Sequence, residues 1–452
     1  MINFRRLLTL QKWSNLKITG LSSDGAGIAR TSNGVIFVNG ALPGEIVTAE
    51  IILRKKDFSI GRLISIEKIS ENRVKPKCKY YGKCGGCQLQ HVNYEGQLKL
   101  KADLVIDAMK RIGGFDDECV NEIKCEPSPE KWGYRNKASF PVQGVNGKIL
   151  TGFYKLRTHE IEFINNCPVN APEINRLYKN LLDEISGHGI NLDGYNEKTN
   201  KGKLRHIILR TGINTAENLL SFVINGRLSQ KNISSLIKLC ANFTPDTITL
   251  NFNSKPGNTI LGIRSEAIYG NGIISEQLNN FKLLMDTSSF FQVNTNQAEK
   301  LFSYVQNLAR DYKNILELYS GVGSLTCYLA ENSNVTSIEE WRPAVNMAVK
   351  NFKLNNLRVK ALCGKAEDLI NDISGNFDAV VLDPPRDGCE RGVLEFINRL
   401  GIKNVIYVSC NPATLARDLK ILAAHGYKLA SIKSFDMFPQ TVHVETVAVF
   451  LK

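Results

Sequence analysis

Hydrophobic and polar positions alternate with a period of two along the first seventy residues, and the rhythm then changes twice. Leu16-Lys-Ile-Thr-Gly20, Gly34-Val-Ile-Phe-Val38, Ile46-Val-Thr-Ala-Glu-Ile-Ile52 and Gly61-Arg-Leu-Ile-Ser-Ile66 read as short strands separated by Gly25-Ala-Gly and Leu42-Pro-Gly turns. Runs of this kind predict a small OB-like β-barrel over residues 1–72. From about Glu95 to Ile112 apolar residues recur at helical spacing. Between Trp132 and Leu284 strands and helices mix without a strong period, so residues 73–284 read as a central α+β domain. From Asn314 the pattern becomes regular strand–helix alternation, with strands over 314–319, 335–339, 358–362, 377–382, 404–409, about 428–434 and 445–451. That alternation predicts an α/β, doubly wound, seven-stranded Rossmann-like domain over 285–452, with ligands at the carboxyl ends of parallel strands.

Composition narrows the class. A chain of 452 residues with 43% hydrophobic and 22% charged positions is expected to be a soluble protein of two to four domains. No apolar run is long enough to span a bilayer. The N-terminus, Met1-Ile-Asn-Phe-Arg-Arg-Leu-Leu, lacks the features of a secretory signal. A cytoplasmic protein without membrane association is expected, with a monomer as the default. A net charge of +13 favours a polyanionic partner, because Lys and Arg facing phosphates release counterions. Arg54, Lys55 and Lys56 fall on a connection of the barrel, which favours oligonucleotide binding there. Tyr134-Arg-Asn-Lys137 and Lys201-Gly-Lys-Leu-Arg-His206 read as solvated faces or as contacts to RNA backbone.

Three features carry chemistry. Cys78, Cys84 and Cys87 form C-x5-C-x2-C among glycines, which lets backbone N–H groups approach the sulfurs. Eleven cysteines in such a chain are not expected to form a disulfide framework, and the spacing of these three matters more than their number. Ile315-Leu-Glu-Leu-Tyr319 runs into Ser320-Gly-Val-Gly-Ser324, a turn in which Gly321 allows close approach of a ligand. The next strand ends on Glu339, suited to two ribose hydroxyls. Finally, Tyr407-Val-Ser-Cys-Asn-Pro412 presents the Cys410 thiol at a strand end, and His443-Val-Glu445 puts a carboxylate at the start of another strand. A nucleophile and a general base in one pocket suit covalent catalysis on an electron-poor ring.

These residues resemble the S-adenosylmethionine-dependent RNA uracil-5-methyltransferases, specifically the cluster-containing branch that modifies 23S ribosomal RNA. Gly25-Ala-Gly-Ile-Ala-Arg30 and Phe37-Val-Asn-Gly-Ala-Leu-Pro-Gly-Glu45 are similar to its N-terminal TRAM barrel. Phe290-Phe-Gln-Val-Asn294, Asp383-Pro-Pro-Arg386, Ser409-Cys-Asn-Pro412 and His443-Val-Glu445 are similar to its later signatures. The resemblance implies Cys410 as nucleophile towards uracil C6 and Glu445 as the base that removes the C5 proton. It implies a cofactor pocket of Gln292, Tyr319, Glu339 and Asp383 around the Gly321 turn, with Asp383 also orienting the base. It implies a [4Fe–4S] cluster on Cys78, Cys84, Cys87 and, as fourth ligand, Cys167, with zinc the competing metal on the first three because thiolates suit both. His443 is expected to be structural or to orient Glu445. Two other expectations stay open: the same chemistry on the T-loop uridine of transfer RNA, and a non-catalytic RNA-binding factor in ribosome assembly.

Overall fold

The structure, a computed structural model, describes residues 11–145, 148–188, 190, 192–369, 373 and 375–452. The basic, apolar start at Met1–Leu8 therefore lies outside the described residues.

Five strands close the N-terminal barrel: β1 (Lys12–Leu21), β2 (Ala26–Thr31), β3 (Gly34–Asn39), β4 (Ile46–Arg54) and β5 (Phe58–Lys68), in the order β1-β2-β3-β5-β4. Alternate positions point inward, so Leu16, Ile18, Ile36, Val38, Val47 and Ala49 fill its centre. Gly27 is required by packing, since a Cβ there would stand 2.7 Å from the Ala41 carbonyl oxygen. The Glu45 carboxylate, 1% exposed, accepts from Arg73 Nε at 2.6 Å and Nη2 at 2.8 Å, which ties the barrel to the segment leading into the cysteines. Arg54, Lys55 and Lys56 stand exposed where β4 turns into β5.

Helix α1 (Tyr94–Ala108) starts at Asn93, whose side chain accepts from Gly96 N at 2.8 Å. It continues as a π-turn over Met109–Gly113 and ends at Gly114 in the left-handed region. Ala102, Val105, Ala108 and Met109 pack into the core of the C-terminal sheet. After β6 (Cys125–Glu126), the central region forms a seven-stranded mixed sheet. It comprises β7 (Lys137–Val145), β8 (Lys148–Tyr154), β9 (Ile161–Phe163), β10 (Leu204–Thr211), β11 (Asn218–Ile224), β12 (Thr247–Phe252) and β13 (Arg264–Tyr269), in the order β13-β12-β11-β10-β7-β8-β9. Helices Pro172–His188 and Gln230–Leu239 cover it. The hairpin of β14 (Ile274–Leu278) and β15 (Phe281–Met285) shares its core with the C-terminal sheet, so that core begins before residue 285.

The C-terminal sheet differs from expectation in two ways. Its own strands are β16 (Asn314–Leu318), β17 (Asn334–Glu339), β18 (Val359–Cys363), β19 (Ala379–Leu382), β20 (Asn404–Ser409), β21 (Lys428–Phe435) and β22 (Glu445–Leu451). The sheet has eight strands rather than seven, in the order β18-β17-β16-β19-β20-β22-β21-β6, because Cys125–Glu126 adds alongside β21. A two-residue strand carries no periodicity, so the sequence could not show it. Nor is the sheet wholly parallel. β22 follows β21 through a loop without a crossover helix, so it returns antiparallel and slots between β20 and β21. This reversal decides where the chemistry sits.

Candidate active site

A parallel sheet collects strand carboxyl ends at one rim. Here β16 and β19 are adjacent while their following helices lead to opposite sides, which opens the crevice where such folds bind ligands. Register places Leu318 beside Leu382 and Ile338, so Tyr319, Asp383 and Glu339 follow at one level. Because β22 runs the other way, its first residue reaches the same rim. Ser409 pairs with Thr446, and one step further along the two strands Cys410 faces Glu445. Asn411 caps the helix Pro412–Ala424, its side chain accepting from Ala413 N at 3.1 Å, and this holds Cys410 at the strand-to-helix turn.

Burial dominates the electrostatics. It pushes the Cys410 thiol up to about 11, and the negative charges of Glu445 and Asp383 add to the effect, while Arg386 opposes it. Burial likewise drives the Glu445 carboxyl, 3% exposed, well above the ordinary carboxylate range, with Asp383 adding and Arg386 opposing. Asp383 is raised by burial to about 7. Three acids crowded in one desolvated space resist ionising together, and Arg386 is the charge that favours the anions of Cys410 and Glu445. Burial thus favours the thiol form of Cys410. His443 is held neutral, lowered to about 4 by burial and then by Arg386. Its ring lines two cavities, one of about 250 Å³ beside Cys410 and one of about 550 Å³ lined by the cysteines.

The turn after β16 is shaped for a ligand. Gly321 has φ +56°, and a Cβ there would meet nothing within 4 Å, so its inner side opens onto free space. Tyr319 itself takes φ +67°, a conformation rare for a side chain of that size. The Glu339 carboxylate accepts from Gly321 N at 3.0 Å and from Trp341 N at 2.8 Å, which fixes it against this turn. Beneath the turn, Ser324 Oγ and Glu317 Oε2 are buried without hydrogen-bond partners. An open glycine turn, a fixed carboxylate and orphaned polar atoms fit a polar, ribose-bearing cofactor. Gln292 is buried in the segment before the helix Thr295–Ala309, its carbonyl accepting from Asn136 Nδ2 at 3.0 Å. Its chain neighbours Phe291 and Val293 line the cysteine cavity.

Cys78, Cys84, Cys87 and Cys167 all line that larger cavity. Tyr80 OH donates to Asn165 Oδ1 at 2.9 Å, joining the two loops that carry them. Gly86 N approaches Cys84 Sγ at 3.4 Å. Burial first, then the neighbouring thiols, pushes Cys87 up to about 12. Among the described residues no three His, Cys, Asp or Glu side chains are gathered tightly enough to hold a single metal ion. Four sulfurs around one cavity, with a backbone N–H on one of them, nevertheless form a donor set that fits a thiophilic group.

The basic segments, expected as solvated faces or RNA contacts, divide: Lys201 and Lys203 are exposed, while others are withdrawn from solvent. Lys137 and Arg210 are directly opposite on β7 and β10; Arg210 is buried, and Lys137 is half-buried at the edge of the cysteine cavity. Arg205 and His206 are buried too, with Arg205 Nη1 donating to the carbonyls of Asn253 at 2.8 Å and Lys255 at 2.7 Å. The functional group that sequence reasoning passed over is Arg386. It stood in the Asp-Pro-Pro-Arg signature, and only the fold shows that it faces Cys410, Glu445 and His443 together.

Comparison with known proteins agrees with this geometry. Residues 93–452 match the tRNA (uracil-5-)-methyltransferase family, and residues 14–64 match the TRAM domain. An uncharacterized RNA methyltransferase of Staphylococcus epidermidis is 36% identical over 450 residues, 96% of each chain. Another from Bacillus cereus is 38% identical over 436 residues, 94% of each. The crystal structure of the Pyrococcus abyssi tRNA (uracil-54, C5)-methyltransferase with S-adenosyl-L-homocysteine superposes with a TM-score of 0.77 at 30% identity, covering 98% of this chain and 100% of that one.

Proposed function

The chain belongs to the RNA uracil-5-methyltransferase family, with an N-terminal TRAM domain, and on that premise we propose that it methylates C5 of a uridine in 23S ribosomal RNA through a covalent adduct on Cys410. The observation that carries this reading is the β20–β22 register that sets Cys410 opposite Glu445 at the cofactor rim.

S-adenosylmethionine, when bound, supplies a methyl group on a positively charged sulfur. Tyr319, Gly321, Glu339, Asp383 and Gln292 would hold it, with Glu339 on the ribose. Uracil C5 alone is too weak a nucleophile for that methyl. The Cys410 sulfur gives up its thiol proton to water and forms a bond to C6, and the C5–C6 double-bond electrons shift onto the ring carbonyl to make C5 nucleophilic. C5 gains the methyl as the bond from methyl to the cofactor sulfur breaks; the Glu445 carboxylate then takes the C5 proton, the C5–C6 double bond re-forms, the C6–S bond breaks, and its electron pair returns to the Cys410 sulfur. Arg386 favours the anionic forms of both Cys410 and Glu445 during these transfers. The target base must leave its stack to enter so enclosed a site.

Cys78, Cys84, Cys87 and Cys167 would hold a [4Fe–4S] cluster in a structural role. Sulfurs on one zinc ion at 2.3 Å would lie about 3.8 Å apart, whereas these four are spread around a cavity, which favours a polynuclear group. The protein acts in the cytoplasm as a monomer; among the described residues no helix is long and apolar enough to cross a membrane.

A second reading, the T-loop uridine of transfer RNA, is favoured by the Pyrococcus abyssi likeness. Labelled S-adenosylmethionine offered anaerobically with unmodified 23S RNA and with transfer RNA transcripts separates the two. 5-Methyluridine in 23S RNA is the expected product. Label in transfer RNA would move the substrate and keep the mechanism. Absence of label in both would reject the enzyme reading in favour of a binding factor.

A further inference from the structure

Glu445 begins a strand, so its position depends on the loop that delivers it. That loop, 436–444, is held almost entirely by residues from the other end of the chain. Its centre is Gln440, 3% exposed and at φ +74°, a left-handed conformation uncommon outside glycine. Its carbonyl accepts from Gln88 N at 3.1 Å and Leu89 N at 2.9 Å. Its N–H donates to Gln97 Oε1 at 2.9 Å, and its side-chain oxygen accepts from Gln97 Nε2 at 3.1 Å. Its amide nitrogen donates to the Lys131 carbonyl at 3.2 Å. Both backbone groups and both ends of the side chain are thus engaged, and every partner precedes residue 132.

The two N–H groups on the Gln440 carbonyl belong to the residues that directly follow Cys87. On the other side, Thr441 and His443 line the cysteine cavity itself. Nearby, the buried Lys101 ammonium meets Asp436 and donates to the Phe438 carbonyl at 3.0 Å, fixing the start of the loop to α1. A left-handed residue persists only where its surroundings over-determine it. Here those surroundings are the cysteine segment and α1.

Resting on the methyltransferase reading above, we propose that Gln440 is a positioning residue that couples the four-cysteine cavity to Glu445. Order in the 84–90 segment fixes Leu89 and Gln88, these fix the Gln440 carbonyl, and Gln440 sets where β22 begins. The step that depends on this geometry is removal of the C5 proton, not attack by Cys410, which is held by β20 and its own helix.

The test compares wild type, Gln440→Ala and Gln97→Met, each with iron loaded and after iron removal by a chelator. Hydrogen exchange of the peptide 436–445 reads the coupling without reference to activity. Iron removal from wild type is expected to speed that exchange, and in Gln440→Ala, where exchange is already fast, to add nothing. On uridine-containing RNA, both variants are expected to form the cysteine adduct at the wild-type rate but to release product roughly 10²-fold more slowly, the scale of an ångström-sized misplacement. A denaturant-stable protein–RNA complex then accumulates. Gln97→Met keeps the backbone of residue 440 intact and covers the case in which Gln440→Ala does not fold. Exchange of 436–445 that is indifferent to iron, or adduct formation and release that fall together, would overturn the proposal. Failure of the methyltransferase reading is distinguishable, because wild type would then form no adduct at all.

Discussion

Cys410 and Glu445 lie at the facing ends of adjacent strands of one sheet, one step beyond the paired Ser409 and Thr446. Cys78, Cys84, Cys87 and Cys167 come from loops on two separate segments, and they meet only because those loops dock on the central sheet. Gly85 N bonds the Tyr154 carbonyl at 3.0 Å, and Cys167 N bonds Asn175 Oδ1 at 3.0 Å. A site built on strands inherits the stiffness of the sheet, whereas a site built on docked loops depends on everything that holds the loops. The two therefore answer differently to mutation: the rim should lose chemistry without losing fold, and the cavity should lose order before it loses chemistry.

The sharpest break in this comparison is at the rim. Cys410→Ala should lower methyl transfer by roughly 10⁴–10⁶-fold, as expected for loss of a covalent nucleophile. Thermal denaturation should be nearly unchanged, because the side chain is only partly buried and the strand is intact. Next comes the tie between the two regions. Lys101→Met leaves Asp436 buried without its partner and should destabilise by about 3–5 kcal/mol, the usual cost of an unpaired buried charge. Lys101→Met with Asp436→Leu should recover most of that loss in urea titrations, since no buried charge then remains.

The rim was largely legible in the sequence. Strand–helix alternation located its strands to within one or two residues, and cysteine and glutamate stood at strand ends in recognisable signatures. Their direct opposition was not legible, because it follows from β22 being antiparallel, and direction comes from the loop 436–444 rather than from any periodicity. The cavity was legible only as a spacing of cysteines. Which loops bring Cys167 to the others, and that Arg205 and His206 would be buried, are properties of sheet pairing between distant segments. Arg386 was in view but mute, since its partners are defined by three separate strand ends.

Two smaller effects sharpen the contrast further. Glu445 and Cys410 are both raised by burial, so their reactive anions grow as pH rises; the rate should keep climbing through the alkaline range towards about pH 11, where the Cys410 thiol ionises. Arg386→Met removes the charge that favours the anions and should move that limb to higher pH, read from a pH–rate profile. The smallest expected effect lies far from both regions, at the exposed turn of the barrel. Replacing Arg54, Lys55 and Lys56 by Ala should weaken RNA binding and flatten its salt dependence by about two units of slope for single-stranded contacts, leaving chemistry on saturating RNA unaltered.

The central claim is that Cys410 and Glu445 act as one cross-strand unit, attack by the first and proton removal by the second. Glu445→Gln tests it most directly when mixed with S-adenosylmethionine and uridine-containing RNA and then denatured. The account predicts a denaturant-stable protein–RNA complex carrying a methylated ring on Cys410, absent when Cys410→Ala is added. Normal release of 5-methyluridine by Glu445→Gln, or a stable complex that survives Cys410→Ala, would contradict it.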